Sequence, residues 1–156
     1  MSTLTEFLKQ RAEKFEGQAA QVVEQQKEWR QSLEKLIDSI TGWLQDAVNQ
    51  NLLKVERVVH PMREDGLGEY LAVDLRITTP DARTVEVVPR GRYVVAMGTG
   101  DMMFRARGRV DISNGARKFM LYRLEGENWV IMDEDVYSER NFDRSAFEAA
   151  LQRLLE

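Results

Sequence analysis

The segment LAVDLRIT, residues 71–78, decides the fold, because its large apolar side chains alternate with small or polar ones. Successive side chains of a β-strand point to opposite faces, so one face of this segment is apolar and the other is wet. Alternation of this kind is typical of an antiparallel sheet with one buried face. We therefore predict a strand whose helix-covered face carries Leu71, Val73, Leu75 and Ile77.

Further strand-like segments flank this one between residues 52 and 132, and turn residues separate them. Asn114-Gly115 is a strong hairpin dipeptide because both positions tolerate positive φ, and Pro80-Asp81 marks another turn. Gly98-Thr99-Gly100 also predicts a β-turn rather than a phosphate-binding loop, since a strand and not a helix follows it. Connections this short leave no room for a helical crossover. We predict an antiparallel β-meander of about six strands.

Helical periodicity occupies the first 49 residues. Thr3 and Glu6 have the spacing of a capping box, and from Gln18 to Asn49 apolar residues recur at intervals of three and four without a proline. Gly17 predicts a bend or weak point, so this region forms either one long helix or two consecutive helices.

The end of the chain predicts a closing helix. Ser145 and Glu148 repeat the capping-box spacing, and the apolar residues that follow lie on one helical face, which we expect to cover the sheet. The predicted class is α+β. We expect a single domain, residues 1–156, in which residues 1–28 project as a helical arm and residues 29–156 form the α+β core.

Composition excludes several classes of function. The chain has no cysteine, which rules out disulfides, thiolate nucleophiles and cysteine-ligated metals. Its N-terminal segment lacks the pattern of a secretory signal, and no apolar run is long enough to span a membrane, so we expect a cytoplasmic protein that does not insert into membranes. The net charge of -4 and the absence of interleaved aromatic residues argue against nucleic acid as a partner.

Catalytic and metal-binding signatures are weak. His60 is the only histidine, and no activated serine motif accompanies it, so we interpret it as a residue at a strand end rather than a general base. Asp133-Glu134-Asp135 places three carboxylates in a row, but consecutive side chains of an extended segment point to opposite sides and do not converge on a cation. We predict a non-enzymatic protein that needs no cofactor and no metal.

Three arginines recur at every second residue: Arg105, Arg107 and Arg109. Within a predicted strand over residues 102–112 their side chains share one face, and guanidinium groups pair bidentately with oxyanions. This pattern predicts an anion-binding face. A second interpretation is that acidic residues on neighbouring strands neutralise the arginines, and the candidates are Asp74, Glu86 and Asp111. The sequence leaves both interpretations open.

The N-terminal helix carries an apolar stripe on an otherwise polar, glutamine-rich segment. Its large members are Leu4, Leu8, Phe15, Val22 and Trp29. A face of this kind suits a helix that buries itself against another chain and stays soluble alone. We therefore predict an interaction or accessory module, an adaptor that binds a partner protein or forms a homo-oligomer through this helix. The alternative is a domain that binds a small ligand or an anion with the arginine-lined face of its sheet.

Overall fold

The structure, a computed structural model, describes residues 3–92, 94–97, 103–125, 127–135 and 138–156, with the backbone alone for residues 94–97 and 103–106. The predicted turn at residues 98–100 lies outside these ranges. The described residues form two helices and nine strands. In chain order these are α1 (Thr3–Asn49), β1 (Lys54–Glu64), β2 (Gly68–Thr78), β3 (Thr84–Gly91), β4 (Val94–Met97), β5 (Met103–Ala106), β6 (Arg109–Ser113), β7 (Lys118–Arg123), β8 (Trp129–Asp133), β9 (Glu139–Asn141) and α2 (Arg144–Leu155).

The predicted α+β class with an antiparallel meander is confirmed. Seven strands form one sheet in the order β1-β2-β3-β6-β7-β8-β9, and every neighbouring pair in it is antiparallel. The sheet thus has one strand more than the predicted six. β4 and β5 pair with each other in a separate two-stranded sheet, inserted between β3 and β6.

Of the two predicted arrangements of the N-terminal region, one long helix is observed. α1 runs through Gly17 and spans 47 residues, a length of about 70 Å. Its buried residues begin at Trp29, and they form the face that packs on the sheet: Trp29, Ser32, Leu33, Leu36, Ile37, Ile40 and Leu44. The helix ends in a Schellman motif, in which the N–H groups of Asn51 and Leu52 donate to the carbonyls of Val48 and Ala47 and Asn51 takes a φ of 60°.

The first two strands form a hairpin that is longer than the strand beside it. β2 pairs with β1 over its whole length but with β3 only from Leu75 to Thr78. Leu75 and Ile77 are fully buried, as predicted, whereas Leu71 is 57% exposed, Val73 is half-buried, and Ala72 is buried in their place. The predicted orientation of Leu71 is therefore wrong. A two-stranded ribbon twists more strongly than a sheet, which turns the distal half of the hairpin to bury its opposite face.

The closing helix α2 covers the sheet as predicted, with Phe147, Ala150, Leu151 and Leu154 buried. Its cap differs from the predicted capping box. Asp143 is the N-cap, and its Oδ1 accepts a hydrogen bond from the Ala146 N–H at 2.8 Å, while Glu148 accepts instead from Arg144 Nε. Aspartate at this position satisfies a free N–H of the first turn as well as serine does.

Candidate functional site

The described part of the fold leaves the first half of α1 without cover. Every residue from 3 to 21 is exposed. We call residues 3–25 the arm. Its large apolar side chains are each more than half exposed: Leu4, Phe7, Leu8, Phe15 and Val23. Single exposed apolar residues are ordinary on a protein surface, but five of them on about 35 Å of helix form an unusual concentration.

The tip of the β1–β2 hairpin marks where the arm ends and the core begins. Gln26 Nε2 donates to the carbonyl of Leu67 at 2.8 Å and to that of Glu69 at 2.9 Å. One turn later, Trp29 is fully buried and its Nε1 donates to the Tyr70 hydroxyl at 3.1 Å. Trp29, which we predicted to bind a partner, therefore lies inside the chain's own core and offers no surface. Val22 is half-buried beside this boundary.

Hydrogen bonds continue from Trp29 into the sheet and fix this boundary. The Tyr70 hydroxyl donates to Glu64 Oε2 at 3.0 Å, and Glu64 Oε1 accepts from the Arg92 N–H at 2.7 Å. Burial raises the pKa of Tyr70 to about 12; the charge of Glu64 and the hydrogen bond to it act in the same direction, while the hydrogen bond from Trp29 opposes the shift. The phenol consequently stays protonated at neutral pH and keeps its role as a donor.

The predicted strand that would align the three arginines is interrupted. Arg105 belongs to β5, Arg109 to β6, and Arg107 lies between these strands, which belong to different sheets. The side chain of Arg105 lies outside the part of the chain that the structure describes in full. The prediction of one continuous arginine-lined strand is therefore wrong. At the break, the Arg107 N–H donates to the Arg123 carbonyl at 2.7 Å and the Arg123 N–H donates to the Gly108 carbonyl at 2.9 Å, so two residues oppose one as in a β-bulge.

The two arginine side chains that the structure describes are paired within the chain. Arg109 binds Asp111 bidentately, with Nε–Oδ1 at 2.8 Å and Nη2–Oδ2 at 3.0 Å, and Arg90 Nε reaches the same Oδ2 at 3.0 Å. Asp111 is almost fully buried, and its hydrogen bonds raise the pKa of Arg109. Arg107 lies 3.5 Å from Glu125 in an exposed pair. Of the acids predicted to neutralise the arginines, Asp111 does so.

A second apolar surface lies beside the arm and was missed at the sequence level. Val59 pairs with Val73 and Pro61 with Leu71 across the hairpin. An open groove of about 520 Å³ lies between α1 and this hairpin. Its α1 side is lined by Lys27, Arg30, Gln31, Leu33, Glu34 and Ile37, and its hairpin side by Val59, Leu71, Ala72 and Val73. The alternation in LAVDLRIT predicts that Leu71 and Val73 are buried in the core. The sequence pattern therefore does not predict this groove.

His60 lies in the middle of β1 rather than at a strand end, facing Asp74 on β2, with His60 Nδ1 and Asp74 Oδ1 3.3 Å apart. Its neighbour Pro61 is tolerated in a strand because β1 is at the edge of the sheet. Burial, which outweighs the attraction of His60, raises the pKa of Asp74. The described residues hold no group of three or more acidic or histidine side chains arranged for a metal ion.

We expect Asp74→Asn to raise the free energy of unfolding at pH 7 by about 0.5 kcal/mol. A carboxyl group whose folded-state pKa is raised favours folding only while it is protonated, so the charged Asp74 destabilises the fold at neutral pH. The asparagine resembles the protonated acid. Its advantage should shrink as the pH falls through the raised pKa of Asp74 and vanish below about pH 3.9, the ordinary range of a carboxyl group. Urea unfolding of both proteins across this range measures the difference, and an advantage unchanged at low pH would contradict the assignment.

No family model matches the chain, and neither the curated proteins nor the solved structures include a significant match. Across the residues that the structure describes, no helix combines the length and the apolar character of a membrane span.

Proposed function

We propose that this protein is a non-enzymatic interaction module, an accessory or adaptor protein of the cytoplasm, and that it associates with other protein through its arm. The observation that carries this proposal is the exposure of residues 3–21 on a helix that bears large apolar side chains. Full burial of one such side chain contributes about 1.5 to 3 kcal/mol, so covering this stripe would supply the driving force for a stable complex.

The arm is suited to binding because its helix needs no separate nucleation. An isolated helix of this length is only marginally stable in water, since forming the first turn restricts several backbone dihedral angles and gains only one hydrogen bond. Here the second half of α1 is fixed by the core, and the arm propagates from it. A partner therefore meets a surface that is already ordered, which lowers the entropy cost of association.

The alternative function, anion binding by the arginines, has weaker support. The guanidinium of Arg109 already binds the carboxylate of Asp111, and Arg90 binds the same carboxylate. Two arginines beside one aspartate leave a single excess positive charge, but an anion at this point would have to compete with a bidentate, largely buried ion pair.

Deleting residues 1–21 should abolish association and leave the core folded. The deletion ends before Gln26, so it spares the hydrogen bonds to the hairpin tip and the whole buried face of α1. We expect the truncated chain to keep its sheet signal in circular dichroism and to change its free energy of unfolding by less than about 0.5 kcal/mol when both chains are monomeric. Multi-angle light scattering reports the association. A truncated chain that still associates as the full chain does would overturn the proposed function.

A further inference from the structure

We infer that the arm pairs with the arm of a second copy of this chain, side by side and antiparallel. This inference rests on the proposed function, because it names the partner that covers the same stripe. It follows from three features: the spacing of the small and large residues, the position of the hairpin tip, and the charges beside the stripe.

From Leu8 to Ile40, one face of α1 follows a strict coiled-coil spacing, and Leu4, Phe7 and Val23 lie outside it. From Leu8 onwards the intervals between successive seam positions alternate between four and three residues, the pattern of a two-helix seam. The positions are Leu8, Ala12, Phe15, Ala19, Val22, Gln26, Trp29, Leu33, Leu36 and Ile40. From Trp29 onwards the chain's own core buries this seam, whereas Leu8 to Ala19 are exposed. The same seam thus serves two purposes on one helix.

The hairpin tip determines the direction of the second helix. From Gln26 onwards the chain's own sheet occupies the side of α1 on which a partner helix would lie. In a parallel pair, both sheets would have to fit between the two helices directly after the paired arms, where the helices are only 8–10 Å apart. In an antiparallel pair, each hairpin tip instead meets the N-terminal end of the other arm. Only the antiparallel direction leaves both folded cores in place.

The antiparallel register that uses the whole arm sets a large side chain against an alanine in its four central layers. In this register Leu8 faces Ala19 of the partner subunit, Phe15 faces Ala12 of the partner subunit, and Val22 faces Thr5 of the partner subunit. A shift of one heptad towards the core would drive the partner's N-terminal end onto the hairpin tip, and a shift the other way would uncover a third of the seam. Small residues opposite large ones let the two helices approach closely.

The residues beside the seam are complementary in charge in this register. Lys9 lies opposite Glu16 of the partner subunit, and the two-fold axis repeats the pair on the other side. Gly17, the weakest helix former of the arm, lies on the outer side and leaves no gap in the seam.

Cysteine crosslinking tests the direction and register, because the chain has no cysteine of its own. We would prepare Leu8→Cys and Ala19→Cys as separate proteins, one carrying a tag that changes its size, and mix them with a short bismaleimide. The antiparallel pair predicts that only mixed dimers are crosslinked, since identical positions are then separated by about 16 Å along the helix. A parallel pair predicts only crosslinks between identical chains, and that result would overturn the inference.

Two phenylalanines on the arm supply a matched pair of variants. Phe15 lies in the seam and is 71% exposed, whereas Phe7 lies outside it and is 56% exposed. Phe15→Glu should raise the dissociation constant of the dimer at least tenfold, measured by light scattering. Phe7→Glu should leave that constant within a factor of about two. Equal weakening of the dimer by both variants would contradict this seam.

A full chain that stays monomeric but binds a different protein through its arm would overturn the inference and leave the proposed function standing. A dimer that survives deletion of residues 1–21 would overturn both.

Discussion

Replacing Gly108 by alanine is expected to lower the free energy of unfolding by about 3 kcal/mol. The added Cβ would lie 2.1 Å from Cζ3 and 2.3 Å from Cη2 of Trp29, far inside van der Waals contact. Trp29 is fully buried and hydrogen-bonded to Tyr70, so its ring has no open space to move into. The backbone at the start of β6 must shift instead, at the cost of its pairing with β7. Urea unfolding followed by tryptophan fluorescence measures the loss.

Two further variants separate this close approach from a general effect of alanine. Gly42 lies on the exposed side of α1, and its added Cβ would meet no described atom within 4 Å. Gly42→Ala should therefore stabilise the protein by about 0.5 to 1 kcal/mol, because alanine loses less backbone entropy in a helix. Combining Gly108→Ala with Trp29→Phe should cost less than the sum of the two single changes, since the smaller ring makes room. If Gly108→Ala leaves the free energy of unfolding unchanged, the surrounding structure accommodates the added Cβ beside Trp29 and the prediction is wrong.

The arginine strand could not be predicted from the sequence, because its break involves contacts with other elements of the fold. The prediction is correct in part, because Arg109 does lie on a strand, β6. At the break, Arg107 and Gly108 both hydrogen-bond Arg123, and Gly108 lies against the indole of Trp29, a residue nearly eighty positions earlier in the chain. A periodicity within one window carries no information about a side chain that arrives from another element.

LAVDLRIT shows the same limit within a single strand. The period of two correctly predicted a strand, an antiparallel partner and the burial of Leu75 and Ile77. The predicted buried face is wrong at Leu71. There β2 extends beyond the end of its pairing with β3, and the two-stranded ribbon that it forms with β1 twists. The length of the neighbouring strand decides where that happens, and a pattern of apolar residues does not report it.

The sequence predicts the apolar stripe on α1, but it does not predict which residues of the stripe face solvent and which are buried in the core. Leu8, Phe15, Val22 and Trp29 are seven residues apart and equivalent by periodicity. The hairpin tip, which reaches Gln26 from some forty residues downstream, separates the members that face solvent from the member that belongs to the core. The sequence therefore predicts the candidate surface but extends it one heptad too far, to Trp29.

Trp29→Ala should consequently lower the stability of the fold and Phe15→Ala should weaken only association, although the two residues occupy equivalent positions of one helix. Trp29→Ala removes a fully buried indole whose ring centroid lies 6.2 Å from that of Trp129, and it leaves the Tyr70 hydroxyl without its donor. A buried aromatic truncated to alanine costs about 3 to 5 kcal/mol, through the lost transfer energy and the cavity that remains. We expect a loss of about 4 kcal/mol in urea unfolding, measured in the chain that lacks residues 1–21 so that association does not contribute.

Phe15→Ala should leave the free energy of unfolding of the monomer within about 0.5 kcal/mol of the unchanged protein, because the ring is exposed and alanine favours helix. Its effect should be confined to association, which light scattering across a dilution series measures. Unfolding is then followed at a concentration where the full chain is monomeric, because a dimer stabilises its folded subunits by mass action. Comparable losses of stability for both variants would mean that the arm packs on its own core. A stable, monomeric Phe15→Ala beside a destabilised Trp29→Ala would place the boundary between binding surface and core in the two heptads that separate them.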